Sequence, residues 1–329
     1  MKLKLNNIGI IKQAEIELNG LSVIAGKNDS GKSTVGKVLY ALVKSVSRGN
    51  IQASGVRNLQ QLEFNKAISS LFNKQISYNG KIDFFYEKTS FKVEITDNLC
   101  EKFTIPKEYE TPSLQYKYRP IFIETPFIWN MFSTLKAIKS LESNGDEMEF
   151  HVSNIVKDLH FVLSQEIKIK ESTIKLNIKK IIDGEFVADR FGNYSFSKEN
   201  KNIALSNTAM GIKYFGLLQV LSDNNHFYDS QILILDEPEV HLHPTWQLKL
   251  AQVIVFLVQK GMKILVNSHS PYMIEALQRY AKKEQISSKF YLADDGSILP
   301  DDDSLSKIFE KLSEPSREFD AMDSEIFNG

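Results

Sequence analysis

The spacing of apolar residues changes along the first 50 residues, and each type of spacing predicts a different secondary-structure element. Apolar and polar positions alternate through residues 1–20, with polar breaks between two runs, which predicts a hairpin of two strands. Asn19-Gly20 is a turn signal, and residues 21–25 form a short apolar run typical of a buried strand. From residue 34 to 46 the apolar positions recur at helical spacing instead. The sequence therefore predicts a strand, a loop and a helix in succession.

The next 80 residues alternate between the two periods. Residues 56–75 have helical spacing, whereas residues 81–86 and 90–96 alternate and predict two antiparallel strands. We expect these strands to form a flap beside the loop that precedes the first helix. Four of the nine prolines fall between residues 106 and 126, which predicts a loop-rich crossing around one apolar strand at 121–123.

Helical spacing returns in the centre of the chain. Residues 127–141 and 150–168 each predict a helix. Residues 174–182 fit a helix or a strand, and the Asp-Gly stop that follows favours a helix. Short strands are predicted at 186–188 and 194–196.

Two buried strands dominate the second half of the sequence. Residues 232–236 and 263–267 are almost wholly apolar, and a helical pattern follows each of them, after Pro244 and from Pro271 to Ala281. Strands that alternate with helices predict an α/β fold with a mixed central sheet flanked by helices.

We expect a single domain over residues 1–329, made of three parts. Residues 1–105 form an N-terminal lobe with an antiparallel β subdomain, 106–198 a mainly helical insertion, and 199–329 a C-terminal lobe.

Composition excludes several classes of protein. The 329 residues are 42% hydrophobic and carry a net charge of −1, so a large core is expected and no overall charge favours nucleic acid or an anionic membrane. The longest apolar run, Val253–Val258, is far shorter than the about 20 residues of a membrane span. The N-terminus has no hydrophobic signal core, and Cys100 is the single cysteine. A cytoplasmic protein is predicted.

The loop between the first buried strand and the first helix carries the clearest chemical pattern. Residues 26–34 read G-x-x-x-x-G-K-S-T, which is typical of a backbone loop that wraps the phosphates of a nucleotide. Glycine permits a tight turn and close approach, Lys32 reaches the β and γ phosphates, and Ser33 ligates Mg²⁺. The alternative is a glycine-rich turn before a core helix. The predicted nucleotide-binding residues are Gly26, Asn28, Ser30, Gly31, Lys32, Ser33 and Thr34.

Two adjacent carboxylates end the strand at 232–236. Ligands bind at the carboxyl ends of strands in an open α/β sheet. Asp236 is therefore predicted to hold Mg²⁺, and Glu237 to deprotonate an attacking water. Solvated acids at a strand end are the alternative.

His269 follows the strand at 263–267 and is expected at the same edge of the sheet as Glu237. It is a candidate to contact the γ phosphate or the attacking water. A helix-capping histidine is the alternative, but the combination with the phosphate loop and the two acids favours the catalytic role. Lys32, Glu237 and His269 are the predicted catalytic residues.

These three motifs together resemble a P-loop NTPase of the ABC type. Within that superfamily, Asp236–Pro244 and Asn267–Tyr272 resemble the OLD/RecF/SMC-like ATPases, including AAA family ATPases of bacterial anti-phage defence. The resemblance covers residues 1–45 and 200–300, and the middle of the chain matches poorly. OLD proteins carry a C-terminal Toprim nuclease domain, but too few residues follow the helix at 271–281 for one to be expected here.

The resemblance implies a homodimer, or a higher oligomer, in which ATP lies between one subunit's phosphate loop and the other's signature motif. Residues 206–213 are the signature candidate, with Gly211 at the glycine position. Ala209 replaces the usual serine, so Ser206 or Thr208 would have to supply the hydroxyl, and hydrolysis is expected to be slow. Glu124-Thr125 stands where the family has its glutamine loop.

The resemblance also suggests a biological role. An intact site without an effector domain indicates an ATP- and Mg²⁺-dependent sensor or scaffold of an anti-phage system, with a separate effector protein and no membrane association. The alternative is a DNA-repair or chromosome-maintenance ATPase that closes on DNA when ATP binds, so nucleic acid remains open as a partner. His241 and His243 suggest zinc, but no thiol or third ligand lies nearby in the sequence.

Overall fold

The N-terminal hairpin and the strand that follows it form as predicted. The computed structural model describes residues 1–48, 59–72, 76, 79–86, 89–104, 120–143, 152–168, 173–302, 304–314, 318–320, 322–323 and 326. Strand β1 (Lys2–Ile8) pairs antiparallel with β2 (Ile11–Glu17), and β3 (Leu21–Ala25) follows the turn. The chain then enters helix α1 (Lys32–Arg48).

A parallel layer forms the centre of the sheet. Strand β3 lies between β12 (Lys263–Ser268) and β13 (Ser288–Asp294), and β11 (Ile232–Asp236) separates β12 from β7 (Ile121–Ile123). All four pairings are parallel. The carboxyl ends of β3, β11 and β12 therefore meet at one edge, which confirms the α/β fold class predicted above.

Both faces of this layer are covered, which is why its strands read as continuous apolar runs. Helix α1 packs on one face with α2 (Leu59–Phe72) beside it. Three further helices cover the other face: α6 (Met210–Asp223), α7 (Pro244–Gln259) and α8 (Pro271–Lys283). Successive residues of β11 alternate between the two hydrophobic cores.

An antiparallel layer extends the sheet on the side of β1. Strands β4 (Asn79–Tyr86), β5 (Thr89–Thr96) and β6 (Leu99–Thr104) follow one another, with β4 paired to β1. The first two were predicted, but β6 was not, because its burial alternates too irregularly to produce a clear period of two. The proline-rich crossing at 106–119 lies outside the described residues.

Strands β4–β6 do not lie beside the phosphate loop, contrary to the expectation of a flap there. Pairing of β4 with β1 places them beyond the hairpin, at the far end of the sheet from β11. The apolar faces of β4 and β5 decide this position, because they complete the core under α1 and α2.

The central region is a layer of helices and a small sheet. Helices α3 (Ile128–Ser143) and α4 (Asn154–Ser164) agree with two predicted helices, the second being shorter than predicted. Strands β8 (Glu185–Ala188), β9 (Tyr194–Lys198) and β10 (Lys201–Ala204) form an antiparallel sheet that packs on α6 through β8. The helix predicted at 174–182 is wrong for most of its length. Only α5 (Lys179–Ile182) is helical, because Ile174 bonds to the backbone of Phe227 instead.

The chain after α8 returns to the sheet. Strand β13 is followed by β14 (Ser297–Pro300), which pairs parallel to β2 and so joins the parallel and antiparallel layers. Helix α9 (Ser306–Leu312) packs on β13, and Glu314 beyond it contacts Lys27 of the phosphate loop. None of the helices seen in the described part of the chain has the length and apolar character needed to cross a bilayer.

Candidate functional site: a phosphate-loop pocket

The phosphate loop turns through backbone conformations that favour glycine. Gly31 has φ +94°, and a Cβ at this position would press on the Ile11 side chain. Gly26 has φ +157°, and a Cβ there would clash with the carbonyl of Ala293. The loop therefore lies close to the β1–β2 hairpin on one side and to β13 on the other. Helix α1 begins at Lys32, so its N-terminus faces the space enclosed by the loop.

Lys32 is a buried cation at the base of the loop. Only 4% of the residue is exposed, and its Nζ donates hydrogen bonds to the carbonyls of Gly26 at 2.9 Å and Lys27 at 2.6 Å. Glu237 Oε1 lies 3.7 Å from the same Nζ. Burial lowers the pKa of Lys32, and the nearby carboxylates oppose that shift. An anionic ligand in the loop would stabilise this charge further.

Asp236, at the end of β11, faces the first turn of α1. Its carboxylate accepts a hydrogen bond from the Ser33 hydroxyl, and Asn267 Nδ2 donates to Asp236 Oδ1 at 2.7 Å. The same Asn267 amide donates to the backbone oxygen of Lys32 at 3.0 Å. Burial raises the pKa of Asp236, against the effect of these hydrogen bonds. Asn267 thus fixes two predicted site residues relative to each other, a role that the sequence did not reveal.

Glu237 has a backbone conformation that is rare for a residue with a side chain. Its φ is +49°, and its N–H donates to the carbonyl of Asn267 at 2.9 Å. The two adjacent carboxylates have different partners, since Asp236 faces Asn267 and Glu237 faces Lys32 and His269. Positive φ in non-glycine residues is concentrated at functional sites, where the surrounding structure holds it in place.

His269 lies beside Glu237. Its Nδ1 is 3.2 Å from Glu237 Oε1 and 3.5 Å from Glu239 Oε1. The adjacent Glu237 carboxylate raises the pKa of the imidazole, and the imidazole in turn lowers the pKa of Glu237. The two residues therefore form an ion pair when the imidazole is protonated.

A pocket of about 420 Å³ joins these groups. It extends from Ile10 of the β1–β2 turn across the loop to Val240, which follows the acids. The predicted residues Asn28, Ser30, Gly31, Lys32, Ser33, Thr34, Asp236 and Glu237 all line it. Gly26 does not line the pocket, and its carbonyl accepts a hydrogen bond from Lys32. His269 does not line it either, but its imidazole contacts Glu237, which does.

Two lining features had little or no signal in the sequence. Glu124 follows β7 at the sheet edge and lies 3.4 Å from Lys37 of α1, in agreement with its suggested place in the site. Tyr214, on α6, is buried, and its hydroxyl has no hydrogen-bond partner among the described residues. Its position in the sequence could have indicated Tyr214, because it lies three residues after Gly211 and therefore about one turn further along the same helix.

The signature candidate lies outside the pocket of its own chain. Gly211 is buried against the loop after Glu237, where a Cβ would come within 3.1 Å of Leu242. Thr208 is buried and donates its hydroxyl to the carbonyl of Ala204 at 3.0 Å. Ser206, by contrast, is exposed.

His243 and Asp302 make local contacts at the starts of helices. His243 caps α7 and contacts Thr245, and no cluster of three metal-ligating acids, histidines or cysteines occurs within the part of the chain that the structure describes. Asp302 accepts hydrogen bonds from Ser304 and Ser306 at the start of α9.

Comparison with known proteins places the chain in a family. Residues 21–275 match the sequence model of the AAA_21 family, described as "AAA domain, putative AbiEii toxin, Type IV TA system". The chain belongs to this family. The matched segment runs from β3 into α8, so this AAA domain contains the phosphate loop, both acids and His269.

Individual proteins are also similar to this chain. The Septu protein PtuA of Bacillus thuringiensis is 21% identical over 306 residues, which cover 84% of this chain and 72% of that protein. The SmcHead bound to the C-winged helix domain of ScpA shares the fold, with a TM-score of 0.51 at 13% identity, covering 91% of this chain and 96% of that one. An ATP-binding cassette of an ABC transporter, in its ADP conformation, aligns with a TM-score of 0.41 at 14% identity over 96% of each chain.

The residues present fit a magnesium nucleotide. Ser33 and Asp236 offer the hard oxygen donors that Mg²⁺ prefers, at the N-terminus of a helix that favours phosphate. Asn267 Oδ1 and the Tyr214 hydroxyl are buried without a hydrogen-bond partner among the described residues, which is typical of a site that exchanges polar contacts with a ligand.

Proposed function

We propose that this AAA_21 protein binds and hydrolyses ATP at the pocket between α1 and the carboxyl end of β11. The observation that carries the proposal is the convergence of Lys32, Asp236 and Glu237 on one pocket, with His269 beside Glu237. These residues come from three separate segments of the chain. Mg²⁺ held by Ser33 and Asp236 would supply charge neutralisation at the phosphates.

Each residue of the chain then has a distinct task. Lys32 binds the phosphate oxygens, and the loop and helix N-terminus orient the triphosphate. Glu237, an ionised carboxylate whose pKa is lowered by the neighbouring His269, accepts the proton of the attacking water. The new bond forms between that water oxygen and the γ phosphorus, the bond to the bridging oxygen breaks, and ADP and phosphate leave.

Turnover of purified protein with Mg²⁺ and ATP tests this chemistry. Glu237→Gln is expected to retain ATP binding and to lower kcat about 10²–10⁴-fold, the usual contribution of a general base. Glu275→Gln, which removes an exposed carboxylate on α8, is the matched control and should behave like the wild type. A Glu237→Gln protein with normal kcat would exclude Glu237 as the base.

We further propose that ATP holds two copies of the chain together. Ile10, Phe127 and Val240 are about half exposed, and two of them line the pocket, so apolar surface surrounds the nucleotide site. Glu237→Gln with ATP should sediment as a dimer in analytical ultracentrifugation, and as a monomer with ADP. A monomer under both conditions would refute the dimer.

The biological proposal is an ATPase sensor or scaffold of a bacterial anti-phage system that acts with a separate effector. The likeness to a Septu protein supports it. Deletion of the protein should increase sensitivity to some members of a broad phage panel, with rescue by the wild type but not by Lys32→Ala. Unchanged sensitivity across the panel would count against the proposal, and a co-purifying neighbour would identify the effector.

A DNA clamp is the alternative, and binding measurements separate the two. The clamp hypothesis predicts that ATP stimulates binding to duplex DNA and that the affinity for DNA falls steeply as the salt concentration rises. The net charge of −1 favours the sensor instead.

A further inference from the structure

Glu239 is the most enclosed carboxylate at the site, and the proposed chemistry gives it no role. It follows Glu237 by two residues, and only 4% of it is exposed. Buried carboxylates are kept when they are paired or hydrogen-bonded, so its partners indicate its function.

Those partners all lie in the loop that carries His269. Glu239 Oε1 accepts hydrogen bonds from the Ser268 hydroxyl at 2.7 Å, the His269 N–H at 2.9 Å and the Ser270 N–H at 3.1 Å. One carboxylate oxygen therefore fixes three consecutive residues between β12 and α8. Hydrogen bonds to an ionised acceptor are shorter and stronger than neutral ones.

The same oxygen also faces the imidazole. It lies 3.5 Å from His269 Nδ1, on which Glu237 Oε1 also converges at 3.2 Å. Three charged groups thus act on the ring: Glu237, Glu239 and, more weakly and with opposite sign, Lys32. Glu239 therefore holds the backbone of His269 and lies close to its ring.

A second anchor ties this loop to α7. Ser270 Oγ donates to Gln247 Oε1 at 2.6 Å, and Gln247 Nε2 donates to the carbonyl of Leu242 at 3.0 Å. Gln247 thus anchors Ser270, whereas Glu239 bonds to all three residues of the loop and also faces the imidazole.

We propose that Glu239 is a positioning residue, which fixes the loop at 268–270 and orients the His269 imidazole towards Glu237. The inference rests on the proposed function only in taking His269 to act at the phosphates.

Two substitutions separate the charge of Glu239 from its hydrogen-bonding capacity. Glu239→Gln keeps an oxygen for the three donors but removes the charge, whereas Glu239→Ala removes both. Glu239→Gln should leave the Kd for ATP unchanged and lower kcat about 10–100-fold, the usual effect of losing a supporting partner. In Glu239→Ala, hydrogen exchange at the His269 amide should accelerate, because this N–H loses its acceptor, whereas the Ser270 N–H keeps the Ser268 hydroxyl oxygen at 3.1 Å.

A titration of His269 by NMR reports the positioning without turnover. The chain has six histidines, and His269→Gln identifies the signal. The pKa of the imidazole should fall in Glu239→Gln, because a facing negative charge is lost. It should remain at the wild-type value in Glu275→Gln, whose exposed carboxylate lies outside the site.

The outcomes are distinguishable. Normal kcat in Glu239→Gln, or a His269 titration identical to that of the wild type, would overturn the proposal. If Glu239→Ala fails to fold, the titration of Glu239→Gln still decides. If the wild type itself does not hydrolyse ATP, the proposed function fails alone, since the amide exchange and the titration continue to test Glu239.

Discussion

Glu237 illustrates how a single residue in this protein depends on its neighbours. Its left-handed φ of +49° is disfavoured by about 1–3 kcal/mol in a residue with a Cβ. The bond from its N–H to the Asn267 carbonyl and the pairing of its side chain with His269 hold the conformation in place. The carboxylate is thereby directed at the pocket, while the preceding Asp236 faces Ser33.

Lys32→Ala is expected to abolish measurable ATP binding. Lys32 is 4% exposed, so the phosphates would lose a buried charge partner, which typically costs about 2–5 kcal/mol, or at least about a 30-fold rise in Kd. Titration with a fluorescent ATP analogue measures the change. Lys289→Ala, which removes a surface lysine paired with Glu17, serves as the control. Wild-type affinity in Lys32→Ala would refute the site.

Cys100 is expected to be unreactive in the native protein. It is buried on β6, and burial raises the pKa of its thiol to about 12. At pH 8 the thiolate fraction of Cys100 is therefore about 10⁻⁴ in the native protein, against about a quarter in the unfolded chain. The native fraction rises about tenfold for each pH unit. Ellman's reagent should react slowly in buffer and rapidly in urea, with Cys100→Ser as the blank. Rapid reaction in buffer would show that the β4–β6 edge opens.

Helix α6 is the element that links the central region to the site. It carries Gly211 against the loop after Glu237, Tyr214 at the pocket and Gly216 under the small sheet. Glycine stands at both positions for the same reason, because its lack of a side chain allows another chain segment to approach the helix closely. The spacing of apolar residues predicted the helix but not these contacts, because glycine has no side chain and therefore does not contribute to that spacing.

Gly216→Ala tests the packing of α6 against β8. An added Cβ would clash with the Phe186 ring, and overpacking typically costs about 1–3 kcal/mol, partly offset by about 1 kcal/mol of helix propensity. Urea unfolding should show a net loss of stability. Adding Phe186→Leu should make the pair more stable than the sum of the single effects. A Gly216→Ala protein as stable as the wild type would contradict the contact.

On the scale of the whole molecule, one sheet separates two hydrophobic cores. Residues of β3 and β11 alternate between them, so neither core is complete without the central strands. The phosphate loop after β3, the acids after β11 and His269 after β12 belong to the same sheet edge. Ligand binding at that edge should therefore stabilise the domain as a unit.

Thermal unfolding with nucleotide measures this coupling. ATP with Mg²⁺ at 100 times its Kd should stabilise the folded protein by about 2.7 kcal/mol, which raises Tm by about 4 °C. AMP, which lacks the β and γ phosphates, should produce a smaller shift at equal concentration. The Tm of Lys32→Ala should not change with ATP. A rise in Tm equal to that of the wild type would show that ATP stabilises the protein without binding at the phosphate loop.

Much of the site could be predicted from the sequence. The phosphate loop, the acids after β11 and His269 are local patterns, and each depends on a strand whose apolar run is visible without the fold. The α/β class follows from the same runs. The irregular segments were less predictable: β6 was missed and the helix at 174–182 was largely wrong, because pairing with distant segments overrides local periodicity.

The sequence by itself determined the chemistry of the groups, since a glycine-rich loop, two carboxylates and an imidazole have their properties wherever they lie. Only the tertiary structure decided which of them act together. The parallel order of β3, β12 and β11 brings residues separated by more than 200 positions to one edge, and the long-range contacts of Asn267, Glu239 and Tyr214 follow from that order. Such contacts leave no local period in a sequence, because they arise from the pairing of strands rather than from the spacing of residues.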